Sequence, residues 1–225
     1  MSNIKELKIR AKEILNGNWG VAIVASLIVT LLSTGPTVTG MWTYFISMSI
    51  SIFIAGPLIY GLTYFNINLI NNKKGSIIDV FKPFGSQYTQ TLIASLLTAF
   101  YIFLWALLLV IPGIIKAFSY AMTPYICMND SNISASEAIN ESKKMMHGNK
   151  LRLFCLYMNF LWILIIWAII GGLIIGLVNV ILGISLAYIG SLLICIYILP
   201  YLGVAQTLFF QEVAQSNGLV TIIEQ

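Results

Sequence analysis

The stretch from Leu153 to Phe210 decides the fold, and it reads LFCLYMNFLWILIIWAIIGGLIIGLVNVILGISLAYIGSLLICIYILPYLGVAQTLFF. No aspartate, glutamate, lysine or arginine interrupts it. Because hydrocarbon excludes unpaired charge and admits only internally hydrogen-bonded segments, such a run predicts membrane helices. It is long enough for two crossings, which we expect to be divided somewhere between Asn179 and Ser185.

The rest of the chain is equally poor in charge. Charged residues make up 9% of the sequence, against about 25% in soluble domains, and 59% of the residues are hydrophobic. Between Trp19 and Phe210, charge is confined to two polar stretches around Lys73 and Lys144 and to a lone Lys116. The sequence therefore predicts an all-α, polytopic transmembrane bundle of about six membrane helices with short amphipathic interfacial helices. Residues 1–225 form one integral membrane domain in this interpretation.

Three crossings are predicted before residue 112. They run from about Trp19 to Ser33, from about Met41 to Ile70 and from about Thr89 to Ile111, with a turn at Gly35-Pro36. Lys73, Lys74 and Lys82 follow the second crossing, so the positive-inside rule places this loop and the N-terminus in the cytoplasm. The basic N-terminal stretch before an apolar run resembles a secretory signal, but Glu6 and Glu13 interrupt it, and we expect it to be retained.

Pro112 and Gly113 interrupt the third apolar run and leave two topologies open. If Pro112 opens a fourth, short crossing, the basic segment from Lys143 to Arg152 returns to the cytoplasm. If Pro112 only kinks one long helix, that segment faces outward. The first topology obeys the positive-inside rule throughout.

Two basic amphipathic helices are predicted, over residues 1–18 and 134–148. Apolar residues recur at helical spacing in the first, and Ser134 with Glu137 fits a capping box at the start of the second. These helices can lie in the bilayer interface, or they can pack on the cytoplasmic ends of the other helices. The expected contacts to lipid headgroups come from Lys5, Lys8, Arg10, Lys12, Lys143, Lys144, Lys150 and Arg152.

The lone Lys116 marks the main candidate site. A lysine near the start of a half-helix opposes the helix dipole, and at membrane depth it costs about 2.5–3.5 kcal/mol. Together with free amides after Pro112 and Gly113 it can form an anion-attracting corner for phosphate or carboxylate. The alternative is that Lys116 reaches the nearest headgroups by snorkelling. The candidate anion or lipid site consists of Pro112, Gly113, Lys116, Tyr120, Pro124 and Tyr125.

Other polar and small residues within the apolar runs suit helix packing. Asn159, Asn179 and Gln206 can line a cavity, but they more commonly form hydrogen bonds between helices. Gly172 and Gly176 form a G-x-x-x-G step that indicates close helix packing, inside the bundle rather than between copies.

Motifs for chemistry are missing from the sequence. Cys127, Cys155 and Cys195 lie far apart, and His147 is the only histidine, so we expect no metal site and no cofactor. There is no pair of carboxylates within the apolar runs, no G-x-S-x-G and no phosphate-binding glycine loop. An enzyme is therefore not expected. Because the small positive charge gathers beside apolar runs, anionic lipid is a more natural partner than nucleic acid.

Several motifs resemble one bacterial family. They are IPGIIKAFSYAMTPY from Ile111 to Tyr125, SEAI from Ser136, SKKMMHG from Ser142, AKE from Ala11, NWG from Asn18, and PY at Pro200 before FF at Phe209. In this order they resemble the bacterial domain-of-unknown-function 975 family. They are also distantly similar to the membrane domain that accompanies some glycerophosphodiesterases. The resemblance implies a six-helix integral protein of a Gram-positive cell membrane without an established activity, and the phosphodiesterase catalytic domain has no counterpart here.

Two functional hypotheses follow. The first is a non-enzymatic envelope protein of the cell membrane that engages or moves an anionic lipid or amphiphile at the corner from Pro112 to Tyr125. The second is a membrane interaction protein that binds a transporter subunit or a membrane-active peptide, with an accessory or immunity-like role.

Overall fold

The computed structural model describes residues 3–34, 41–71, 74–130, 132–177 and 180–218, and these residues form helices and no strand. The α-helices are α1 Ile4–Leu15, α2 Trp19–Thr34, α3 Met41–Ile70, α4 Tyr88–Leu108, α5 Val110–Tyr120, α6 Thr123–Asn129, α7 Ala135–Met145, α8 Lys150–Leu177 and α9 Val180–Ser216, with a 3₁₀ helix over Ile77–Phe84. The predicted all-helical bundle is confirmed. The predicted turn at Gly35-Pro36, Lys73 and Asn179 fall outside the described residues.

Four described helical segments are long and apolar enough to cross a membrane: Phe53–Ile70, Tyr88–Leu108, Lys150–Ile174 and Ile184–Ser216. A fifth span is possible if α1 and α2, which meet at 101°, count as one broken span. The 16 residues of α2 reach about 24 Å, somewhat less than the ~30 Å hydrocarbon core. Membrane helices are therefore supported by length and composition, while the count of six stays a prediction.

Helix α1 packs on protein. Asn3 caps it, and the chain leaves it through Gly17, whose φ of 87° suits glycine. Its apolar stripe of Leu7, Ala11 and Leu15 is fully buried, mainly against α9, and the Tyr201 hydroxyl donates to the Lys8 carbonyl at 2.9 Å. The sequence left open whether this helix lies in the bilayer interface or packs on other helices, and in the structure it packs on other helices.

Helix α7 repeats the local design of α1. Ser134 and Glu137 form the predicted capping box, the helix ends before Gly148 at φ 82°, and Asn149 donates its side chain back to the Met145 carbonyl, as Asn18 does after α1. Because the Ser134 hydroxyl and backbone N–H both donate to the Glu137 carboxylate, the pKa of Glu137 lies below its ordinary value. A short amphipathic helix followed by a glycine and an asparagine therefore precedes both α2 and α8.

The 3₁₀ helix lies directly against α3. A Cβ built on Gly61 would lie 1.8 Å from the Val80 carbonyl oxygen, so only glycine allows this approach. Asn68 donates to the Asp79 carboxylate at 3.2 Å, and the Lys82 ammonium donates to the Tyr64 hydroxyl. These contacts hold the loop after α3 along the helix it has just left.

Helices α4 and α5 form an antiparallel hairpin. The helix breaks at Leu109, which is extended at φ −160° and ψ 143°, and α5 begins at Val110 with Pro112 in its first turn. Gly113 allows α5 to lie on α4, because an added Cβ would meet the Ala106 Cα at 2.9 Å. The alternative in which Pro112 only kinks one long helix is therefore wrong. Since α5 has 11 residues and reaches about 16 Å, it does not cross a bilayer by itself.

Helices α8 and α9 pack through small residues other than those expected. An added Cβ on Gly171 would lie 3.2 Å from the Ala187 Cβ, and one on Gly190 would collide with the Trp167 ring. Gly172 has open space instead, so its predicted role in packing within the bundle is wrong. Gln206 accepts a hydrogen bond from Tyr157 between the two helices, as the sequence indicated.

Candidate functional site

A cavity of about 250 Å³ lies where the α4–α5 hairpin meets α7. We call it the Lys116 cavity. Its walls are Tyr101, Trp105, Lys116, Tyr120, Ser136, Ile139, Asn140 and Lys143. Two of the six residues of the predicted candidate site, Lys116 and Tyr120, therefore lie in one cavity.

The hairpin gives the cavity an aromatic side. Because α5 runs antiparallel to α4, two side chains one turn apart on α4 face two side chains one turn apart on α5. The Tyr101 and Tyr120 ring centroids are 6.2 Å apart, and the Lys116 ammonium lies 4.3 Å from the centroid of the Trp105 ring. A ring face at this distance attracts a cation, so Trp105 compensates part of the cost of placing a lysine in an apolar hairpin.

Helix α7 gives the cavity its polar side. Ser136, Asn140 and Lys143 recur at helical spacing and project from one face of α7. On a buried face of the same helix, the Ser142 hydroxyl accepts from the Met122 N–H at 3.1 Å and donates to the Ser119 carbonyl at 3.0 Å. Ser142 thus attaches α7 to the break between α5 and α6, where backbone groups leave the helical pattern.

The electrostatics of the cavity favour an anion. Lys143 and Lys150 are close enough to Lys116 for their charges to act on it. Among the described ion pairs none involves Lys116. The ammonium groups of Lys116 and Lys143, with hydroxyl, amide and phenol donors around the same cavity, can bind a phosphate or carboxylate group.

The cavity lies at one end of the bundle. Lys150 and Leu151, at the start of α8, border the far side of α5. Arg152 in the same turn donates to Glu212 near the end of α9, with 2.7 Å between nitrogen and oxygen. Lys116 therefore lies at the level where α8 begins and α9 ends, which is close to the polar segments of the chain.

The remaining residues of the predicted site have other positions. Pro112 and Gly113 shape the hairpin, and Pro124 lies in the first turn of α6. Tyr125 is buried in the core, where its ring stacks on Phe210 at 4.9 Å and its hydroxyl accepts from Thr207 at 3.5 Å. The structure therefore does not bring Pro124 and Tyr125 to the Lys116 cavity.

The predicted headgroup residues divide into two groups. Exposed side chains are Lys5, Arg10, Lys12, Lys143 and Lys144. Lys8 is partly buried with its ammonium 5.6 Å from the Phe160 ring, Lys150 is partly buried beside α5, and Arg152 is paired with Glu212. The exposed basic side chains are therefore the ones available to headgroups without rearrangement.

Five residues of the cavity were not part of the predicted site, namely Tyr101, Trp105, Ser136, Ile139 and Asn140. Tyr101 and Trp105 lie four residues apart on one face of α4, and Ser136 and Asn140 lie four apart on α7. Helical spacing could have grouped each pair. It could not have shown that the two pairs face the same lysine, because that depends on the hairpin.

Comparison with known proteins identifies a family but no function. The profile of the family described as "Protein of unknown function (DUF975)" matches residues 1–119 and 107–217. No curated protein and no solved structure matches the chain. The similarity to the membrane domain of glycerophosphodiesterases stays a prediction.

Proposed function

We propose that this chain, which belongs to the DUF975 family of proteins of unknown function, is a non-enzymatic multi-pass protein of the cell membrane that binds or moves an anionic lipid or amphiphile. The observation that carries the proposal is the Lys116 cavity, where Lys116 and Lys143 lie together without a described carboxylate paired to Lys116. An anionic headgroup would relieve the mutual repulsion of Lys116 and Lys143.

The size of the cavity supports a headgroup rather than a whole ligand. Its volume of about 250 Å³ is below the range of about 300–1,000 Å³ that encloses drug-sized molecules. Trp105 already faces the Lys116 ammonium, so the ring is not available to a second cation such as the choline of a zwitterionic lipid. Both properties favour a small anion.

Replacing Lys116 with methionine tests the proposal. We expect the preference of the detergent-purified protein for phosphatidylglycerol over phosphatidylcholine, measured by native mass spectrometry, to fall about tenfold. Methionine keeps much of the length of the side chain and removes only the charge that the phosphate would contact.

Lys74→Met is the matched control, because Lys74 is exposed in the loop after α3 and lies outside the cavity. It should leave the lipid preference unchanged. Absence of any preference in the unmodified protein, or an equal loss in the two variants, would contradict the proposal.

The orientation that we propose has six crossings and a cytoplasmic N-terminus. It is supported by the packing of α1 on α8 and α9, which places the N-terminal polar segment beside Phe160 and Tyr201. Cysteines introduced at Asn132 and Asn149, after serine replacement of Cys127, Cys155 and Cys195, should react with an impermeant maleimide only from the cytoplasmic face. Labelling of either position in intact cells would contradict this orientation.

The second hypothesis, a protein that binds a transporter subunit or a membrane-active peptide, stays a prediction. The close-packing glycines Gly171 and Gly190 are used within the α8–α9 pair, so they do not provide a surface for such a partner. Crosslinking in native membranes distinguishes the two hypotheses, because a stoichiometric protein partner would favour the second.

A further inference from the structure

A second cavity lies on the other side of α5, against the first turns of α8. Its volume is about 210 Å³. We call it the α5–α8 groove, and its walls are Ile111, Ile114, Ile115, Phe118, Leu151 and Phe154, with Lys150 at its edge. Apart from the ammonium of Lys150, all of these side chains are apolar.

The groove and the Lys116 cavity use two faces of one helix. Ile111, Ile114, Ile115 and Phe118 recur at the spacing of one helical stripe, whereas Lys116 and Tyr120 project from another face. A helix with its side chains is about 10–12 Å across. The polar and the apolar cavity are therefore separated by a single helix.

Lys150 is the basic residue of the groove that lies nearest to the Lys116 cavity, although it does not line that cavity. It borders the groove, and its charge acts on Lys116 in the other cavity. A phosphate in the Lys116 cavity would lie about one helix diameter from the groove, so the hydrocarbon attached to it reaches the apolar walls if the lipid passes α5 beside Lys150. Protein leaves these walls uncovered, since Ile114 is 48% exposed and Leu151 is 77% exposed.

We infer that the α5–α8 groove holds an acyl chain of the same anionic lipid whose headgroup lies in the Lys116 cavity. The inference rests on the proposed function and extends it, because it names the ligand as an acyl-chain lipid rather than a soluble phosphate. The small Lys116 cavity requires that most of such a molecule lie elsewhere. The groove is an apolar surface on the other side of the same helix, with Lys150 at its edge.

Chain length and a groove-filling substitution test the inference. In native mass spectrometry, the unmodified protein should bind dipalmitoyl phosphatidylglycerol about tenfold more tightly than dihexanoyl phosphatidylglycerol. Ile114→Trp places a large ring in the groove and should remove most of this difference. Leu151→Trp fills the groove from α8 and should act in the same way if the first variant fails to fold.

Ile170→Trp is the matched control, because Ile170 is 41% exposed on α8 and lies outside the groove. It should retain the full dependence on chain length. If lipid merely coats the exposed helices, Ile114→Trp and Ile170→Trp will behave alike, and the inference fails.

Failure of the inference can be separated from failure of the proposed function. If Lys116→Met abolishes the preference for phosphatidylglycerol while the groove variants keep their dependence on chain length, the headgroup site stands and the acyl-chain site is overturned. If Lys116→Met changes nothing, the proposed function itself is wrong, and the groove inference falls with it.

Discussion

Replacing Gly61 with alanine should destabilise the protein by about 3 kcal/mol, at the upper end of ordinary overpacking. The added methyl group would lie 1.8 Å from the Val80 carbonyl oxygen and 2.6 Å from the carbonyl carbon. Both atoms belong to the backbone, so no side-chain rotation relieves the contact, and the 3₁₀ helix must move away from α3. Detergent-solubilised protein should show a melting temperature lower by roughly 6–12 °C.

Gly20→Ala makes the same chemical change where space is open, because no atom lies within 4 Å of an added Cβ. It should leave the melting temperature unchanged or raise it, since alanine is favoured over glycine in a helix by up to about 1 kcal/mol. Equal melting temperatures for Gly61→Ala and Gly20→Ala would show that the contact between α3 and the 3₁₀ helix is looser than the structure describes.

Ser142→Ala should cost about 2 kcal/mol, because it removes the hydroxyl that serves both the Met122 N–H and the Ser119 carbonyl. Both backbone groups lie at the break between α5 and α6, and Ser142 and Met122 are fully buried. Water does not readily replace the lost partner there. The expected fall in melting temperature is roughly 4–8 °C.

Ser136→Ala provides the comparison on the same helix. Its exposed hydroxyl approaches only the Ser134 hydroxyl among the described contacts, at 3.3 Å, so we expect a change within about 0.5 kcal/mol. If the Ser142→Ala variant and the unmodified protein had the same melting temperature, the proposed attachment of α7 to the break between α5 and α6 would be contradicted.

Local patterns predicted the helices and their ends. The bounds of α3 agree with the apolar run from Met41 to Ile70, and the S-x-x-E pattern located the start of α7. Both depend on residues close together in the chain. The position of the helix break was less accurate, because proline is tolerated in a first turn and α5 begins two residues before Pro112.

Contacts between distant segments could not be predicted in the same way. Gly61 against Val80, Lys116 over Trp105 and Tyr201 on Lys8 depend on how helices pack, and no short pattern encodes the partner. Lys116 was recognised as unusual because a charge in an apolar run is costly. Its surroundings became clear only with the α4–α5 hairpin and α7 in place.

The packing of α1 on α9 has a consequence for biosynthesis. The ribosome makes α1 first, yet the surface that covers Leu7, Ala11 and Leu15 belongs mainly to the last helix. Until translation reaches Tyr201, most of the surface that buries its apolar side is missing, and the bilayer surface can shelter an amphipathic segment of this kind. We therefore expect nascent chains to hold their first helix at the lipid boundary until the final helix emerges and α1 docks on it.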